Sequence, residues 1–337
     1  MILVLGGTGL VGSHLLAELS KSGENIRALK RPESDLQQVK KIFSYYGPDT
    51  EKLFGKVEWM EGDLLDHASL YDAMEGISGL YHAAAIVSFR RSDKKDMIRA
   101  NVEGTANVVN AALENRIEKM CYVSSVATLS EKDGDHFVTE DNNWRALKFK
   151  SAYAESKYKA ELEVWRGIAE GLTAVIVNPS VILGTGNWNK SSTAIFSSIY
   201  KGLKFYTDGA TGYVDVRDVV NCMIRLMKSS IANERFLLNA ENRSFKEMFS
   251  EIAVSLGKKP PSIRATPALT ETAWIFEAVK SKLTGKKSRI TKETVRAGQR
   301  ITRYSGQKVK DALNYSFIPV SESVRYISEL FLKDRFK

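Results

Sequence analysis

The sequence predicts a doubly wound, parallel α/β sheet followed by a smaller, mostly helical C-terminal region. Three observations predict it. Short apolar runs recur through the first 240 residues with helical stretches between them, the alternation expected of parallel strands joined by crossover helices. The first run leads straight into a glycine-rich turn and a helix start. Beyond about residue 240 the strand-like runs give way to helix-period segments and prolines.

Taken in order, Ile2–Leu5 suits a buried parallel strand, and Gly6, Gly9 and Gly12 follow before a helical Ser13–Ser20. Gly6 permits the tight turn, Gly9 lets backbone approach a phosphate, and Gly12 lets the helix pack closely on its strand. Free N–H groups at the helix start are then left facing an anion. With Thr8, Leu10 and Val11 between and beside them, these glycines read as a cradle for a dinucleotide pyrophosphate. Further strands are expected at Asn25–Leu29, Val57–Met60, Gly79–His82, Lys119–Val123, Ala174–Val177 and Arg235–Leu238. Helical period places Val102, Ala106, Val109 and Leu113 on one face, and Tyr153, Lys157 and Ala160 on another. From about Leu183 to Thr211 the pattern loosens into Gly, Asn, Ser and Thr. Ser244–Leu256 and Thr270–Leu283 read as amphipathic helices around Pro260, Pro261 and Pro267, and Gly285–Arg289 as an exposed loop. The expected division is residues 1–180 plus about 214–240 for dinucleotide binding, with about 181–213 and 241–337 facing the substrate.

Composition narrows the class. A chain of 337 residues, 43% hydrophobic and 26% charged, can bury a large core. No window holds eighteen uninterrupted apolar residues and the chain opens into a core strand rather than a cleavable leader, so a cytoplasmic protein without membrane insertion is expected. The two cysteines, Cys121 and Cys222, are too few for a disulfide scaffold or a thiolate metal site, and no metal is expected. The net charge of +9 is concentrated at residues 241–337, which hold 20 Lys plus Arg against 10 Asp plus Glu. That excess suits an acidic substrate, a phosphorylated ligand, a membrane surface or simply a solvated face; no nucleic-acid motif accompanies it, so no nucleic-acid partner is expected.

Two clusters carry chemistry. In Tyr153-Ala154-Glu155-Ser156-Lys157 the four-residue offset puts a phenol and an ammonium on one helix face. Lowering a tyrosine from about 10 to near neutrality needs roughly 4 kcal/mol of phenolate stabilisation, much of which an ammonium can supply. Such a tyrosine can exchange a proton with a carbonyl or alcohol while a hydride moves. Met120 to Val126 ends a buried strand in Ser124 and Ser125, the edge of a parallel sheet where ligands bind.

The glycine turn, Gly62-Asp63-Leu64, His82-Ala83-Ala84-Ala85, Asn101-Val102-Glu103-Gly104-Thr105, Ser124-Ser125, Tyr153-x-x-x-Lys157 and Asn178-Pro179-Ser180 occur in that order. Together they resemble the extended short-chain dehydrogenase/reductase family, of the NAD-dependent epimerase/dehydratase type, from residue 1 to about residue 240. The wording of Val123–Leu129 is most similar to its dihydroflavonol-reductase-like and hopanoid-associated sugar-epimerase-like branch. The resemblance implies a Rossmann sheet with a substrate domain, in which Ser125 orients the reacting oxygen and Tyr153 is the acid/base. Lys157 would depress the tyrosine and bind the nicotinamide ribose. It further implies that Asp63 and Leu64 border the adenine, that Ala83, Ala84 and Ala85 line the cofactor trough with Val123 nearby, and that Pro179 and Ser180 lie near the nicotinamide. Asn101 would be structural or part of a proton relay. Pairing of the helices carrying Val102–Leu113 and Tyr153–Ala169 across a homodimer is one of two open states.

The dinucleotide itself is read from the second strand. Its end, Arg27-Ala28-Leu29-Lys30-Arg31-Pro32, lacks the acid that holds an unphosphorylated ribose and offers Lys30 and Arg31 where a 2′-phosphate would lie. NADP is therefore expected, with NAD as the alternative because Glu33 and Asp35 follow closely. The functional expectation is reduction of a carbonyl, or oxidation of the alcohol, on a small organic substrate. The alternatives are a nucleotide-sugar epimerase/dehydratase with bound NAD and a non-catalytic dinucleotide sensor.

Overall fold

The computed structural model describes residues 1–131, 136–144, 151–266, 269 and 292–336. Pro267, the expected helix Thr270–Leu283 and the Gly285–Arg289 loop lie outside the described residues. The described strands are β1 (Ile2–Leu5), β2 (Ile26–Lys30), β3 (Val57–Glu61), β4 (Gly79–His82), β5 (Lys119–Val123), β6 (Ala174–Pro179), β7 (Val181–Leu183), β8 (Phe205–Tyr206), β9 (Ala210–Asp215), β10 (Glu234–Leu238), β11 (Glu241–Ser244) and β12 (Ile263–Arg264). The helices are α1 (Leu10–Lys21), α2 (Leu36–Phe43), α3 (Thr50–Phe54), α4 (His67–Met74), α5 (Lys94–Ile98), α6 (Gly104–Glu114), α7 (Ala152–Ala169), α8 (Ala194–Tyr200), α9 (Val216–Lys228), α10 (Phe245–Ser255), α11 (Lys292–Gln299), α12 (Gln307–Leu313) and α13 (Val320–Arg335).

Seven parallel strands build the central sheet in the order β10-β6-β5-β4-β1-β2-β3. They are the seven strands expected from the sequence, with ends moved by a residue or two in four of them. Burial on both faces explains why they read as unbroken apolar runs. Successive side chains point to opposite faces: Val4, Cys121, Val175 and Val177 pack with α1, α2 and α9. Leu3, Leu5, Met120, Tyr122 and Ile176 pack with α4, α6 and α7. Chain order reverses between β1 and β4, and a crevice opens there at the carboxyl edge.

One expectation is corrected. The buried face of α6 is Thr105, Val108, Val109 and Ala112, not the set Val102, Ala106, Val109 and Leu113. A wide i→i+5 turn at Arg99–Glu103 precedes the helix and shifts its phase. The C-terminal part is mostly helical, as expected, and adds two small sheets: β11-β9-β7 form a three-stranded one and β12 pairs with β8. Leu183, Tyr213, Phe196, Ile252, Val324 and Phe331 join these strands to α8, α10 and α13 in a second core. No described helix is long and apolar enough to cross a membrane.

Candidate active site

The turn after β1 is shaped by its glycines. Gly6 has a positive φ of 84°, and a Cβ there would lie 2.5 Å from the Ala84 backbone nitrogen. At Gly12 a Cβ would lie 2.1 Å from the Gly6 carbonyl oxygen. Gly9 donates its N–H to Gly6 O at 2.9 Å and stands at the start of α1 with no side-chain cap, so the first amides of the helix face the crevice.

A cleft of about 430 Å³ lies against this turn, within the size range of small-molecule sites. Of the expected cofactor residues it brings together Gly6, Thr8, Gly9, Leu10, Lys30, Arg31, Asp63, Leu64, Ala83, Ala84 and Ala85. Val11 and Gly12 form the helix turn behind it, whereas Val123, Tyr153, Lys157, Pro179 and Ser180 do not line it. Residues that sequence reasoning missed complete its walls: Ser34 and Gln38 beside the β2 tip, and Asn187 and Ser191 opposite, flanking Lys190. A polar residue one turn into α2, behind the two bases, is the signal that would have found Gln38.

The edge near β2 is basic but paired. Lys30 Nζ contacts Glu61 Oε1 at 2.5 Å, and Arg31 Nε contacts Glu33 Oε1 at 3.1 Å. Asp35 does not turn towards a ribose; its carboxylate caps α2 by accepting from Gln37 and Gln38 N–H. Gln38 Nε2 is buried at the cleft without a hydrogen-bond partner. Asp63 Oδ1 accepts from Leu65 N at 2.9 Å, a turn that presents the carboxylate to the cleft's far end. These features fit a dinucleotide: an amide-lined turn no side chain could occupy, a basic edge, and an orphaned amide donor.

The opposite wall is held from a distance. Trp188 Nε1 donates to Asp334 Oδ2 of α13 at 2.8 Å, and Lys41 Nζ of α2 meets the same oxygen at 2.8 Å. The Tyr45 hydroxyl donates to that oxygen as well. One carboxylate thus ties α2, whose Gln38 lines the cleft, to the loop carrying Asn187 and Lys190.

Ser125, Tyr153 and Lys157 assemble at the carboxyl end of β5. Ser125 caps a short 3-10 turn at Val126–Thr128, its Oγ accepting from Ala127 N at 3.2 Å, and its side chain hydrogen-bonds Tyr153. Ser124 is buried and donates to Glu161 instead. Tyr153, on the first turn of α7, meets Phe89 edge-on with centroids 5.8 Å apart. Lys157 is 2% exposed and donates to Tyr122 Oη at 2.7 Å and to the Val123 carbonyl at 2.8 Å. Of the ammonium's three donors, the remaining one has no protein partner among the described residues.

The electrostatics differ from the simple helix-face expectation. Burial pushes the Tyr153 phenol above its ordinary value, with the Ser125 hydrogen bond opposing. The lysine does not meet the phenol first, because a desolvated ammonium takes the nearest acceptors at the strand end. Burial pushes Lys157 down to about 7, with Glu161 opposing. Its charge therefore costs stability below pH 7, and stability rises as pH climbs from about 7 towards the unfolded lysine value. Thermal unfolding between pH 6 and 10 checks this: wild type gains stability relative to Lys157→Met as the pH rises, and parallel curves would refute the burial effect. His14 and His82 are buried and pushed down to about 4 and about 3. Asn101 bridges α7 to the loop after β4, donating to Ser156 Oγ and Ile86 O at 3.0 Å each. No described His, Cys, Asp or Glu cluster could hold a metal ion.

Comparison with known proteins agrees with this architecture. Residues 2–238 match the NAD dependent epimerase/dehydratase family. A Synechocystis sp. protein provisionally named dihydroflavonol 4-reductase is 29% identical over 92% of this chain and 88% of its own length. The 4-hydroxy-2-methyl-3-oxo-4-farnesyl-3,4-dihydroquinoline-1-oxide ketoreductase of Stigmatella aurantiaca is 30% identical over 80% of each chain. The crystal structure of gox2253 superposes with a TM-score of 0.81 at 28% identity, covering 99% of this chain and 98% of the other.

Proposed function

The chain belongs to the NAD dependent epimerase/dehydratase family, and from that premise we propose that it is an NADP-dependent oxidoreductase that reduces the carbonyl of a small organic substrate or oxidises the corresponding alcohol. The observation that carries the NADP reading is the β2 edge, where Lys30, Arg31, Ser34 and the unpartnered Gln38 amide line one end of the cleft. Exposed ion pairs such as Arg31 with Glu33 are weak, so a 2′-phosphate can exchange into them.

The dinucleotide, when bound, supplies or accepts the hydride. The turn Gly6–Gly12 and the first amides of α1 would hold its pyrophosphate, and Asp63 and Leu64 would border the adenine. The free donor of Lys157 would hold a ribose hydroxyl. Ser125 orients the substrate oxygen and Tyr153 gives it a proton in reduction or removes one in oxidation. Val123 and Pro179, which end β5 and β6, and Ser180 after them would border the nicotinamide.

Binding constants for NADPH and NADH test the reading. NADPH should bind more tightly, and Arg31→Glu should weaken NADPH by about tenfold while sparing NADH, the cost of one lost charge-assisted contact. Equal affinities would refute the NADP assignment. Net consumption of added NADPH with carbonyl substrates is the second readout; retained NAD with no net consumption would favour the nucleotide-sugar epimerase/dehydratase instead.

A further inference from the structure

One turn beyond Lys157, Glu161 is 2% exposed, and five donors converge on its carboxylate. Oε2 accepts from Ser124 Oγ at 2.5 Å, Asn178 Nδ2 at 2.8 Å and Thr128 Oγ1 at 3.0 Å. Oε1 accepts from Arg235 Nη1 at 3.1 Å and Trp165 Nε1 at 3.3 Å. Burying a carboxylate this deeply is costly even when it is paired, and packing alone would be served by an apolar residue.

The network reaches the proposed catalytic groups by two routes. Asn178 Nδ2 also donates to the Ser125 carbonyl at 3.2 Å, and the one proton of the Thr128 hydroxyl is shared between Glu161 and that carbonyl at 2.9 Å, fastening the turn that presents the Ser125 hydroxyl. The second route is charge. Lys157 is faced by Tyr122 of β5, His82 of β4, and Tyr153 and Glu161 on its own helix. Tyr122 and Tyr153 are pushed up by burial and His82 is pushed down to about 3, so all three are neutral near pH 7. Glu161 is then the carboxylate that holds the charge on Lys157, and Arg235 of β10 shares its field.

We propose that Glu161 is a positioning residue: it maintains the ammonium form of Lys157 for the dinucleotide ribose and clamps the Ser124–Thr128 turn so that the Ser125 hydroxyl meets Tyr153. The roles of Lys157 and Ser125 in this inference rest on the oxidoreductase reading.

The test is the NADPH dissociation constant of the full chain, followed by nucleotide fluorescence from pH 6 to 9. Wild-type affinity should fall as Lys157 loses its proton. Glu161→Gln keeps size and an acceptor but removes the charge, and should move that midpoint down by about one pH unit. Arg235→Gln leaves the Glu161 field unshared and should move it up. Ser124→Ala removes a donor without changing charge and should leave it in place. A merely structural role would weaken binding at every pH with no ordered movement of the midpoint, and that result overturns the proposal, as does a wild-type affinity without a midpoint. Should Glu161→Gln fail to fold, Arg235→Gln still decides, because an unmoved or lowered midpoint contradicts the charge coupling. Binding needs no substrate: ordered midpoints in a chain that reduces no carbonyl would sink the oxidoreductase reading while leaving the coupling intact.

Discussion

Tyr153→Phe should lower kcat/KM for carbonyl reduction by about 10²–10⁴-fold, the usual weight of a positioned proton donor, while NADPH affinity stays near wild type. The substitution removes only the hydroxyl that meets Ser125; the ring keeps its edge contact with Phe89, so folding is not at stake. The pH dependence follows from the same phenol. Because burial raises it and Ser125 only partly opposes, the donor stays protonated through neutrality. Reduction at saturating NADPH is therefore expected to be flat from pH 6 to 9, whereas alcohol oxidation, which needs the phenolate, should keep rising. An oxidation rate that levels off near pH 7 would contradict this. Unchanged turnover in Tyr153→Phe would return the chain to the dinucleotide-sensor reading.

Gly12→Ala should abolish detectable dinucleotide binding and destabilise the chain by about 1–3 kcal/mol, the cost of forcing a methyl into filled space. The added carbon would sit 2.1 Å from the Gly6 carbonyl oxygen and 2.7 Å from its carbon, both main-chain atoms that cannot rotate away. Relief requires α1 to lift off the turn, which breaks the Gly9 N to Gly6 O hydrogen bond of 2.9 Å and the alignment of the helix amides. Calorimetric titration with NADPH and a thermal melt measure both effects. Wild-type affinity in this variant would show that the turn is not where the pyrophosphate lies.

Much of the scaffold was legible because buried parallel strands such as Cys121's and Val175's are apolar on both faces, and the glycine turn has a fixed spacing. The small sheets were not. β8 and β12 have two residues each and pair across 56 residues of chain, while β11 is the polar stretch Glu241–Ser244, so neither carries a periodic signal. The site divides in the same way. Tyr153 and Lys157 announce themselves by a four-residue offset, but Glu161 at the next helical position reads as an ordinary solvated carboxylate until its five donors are seen. Gln38, Asn187 and Ser191 depend on how loops and α2 fold around the crevice, and tertiary placement of that kind leaves no mark in local sequence.

The Asp334 tie has a consequence for biosynthesis. Strands β1 to β6 can pair as soon as they leave the ribosome, yet the loop carrying Trp188 and the helix carrying Lys41 both await a carboxylate near residue 334. A nascent chain would thus form its glycine turn well before the rim opposite it is secured, which must wait until translation has passed α13.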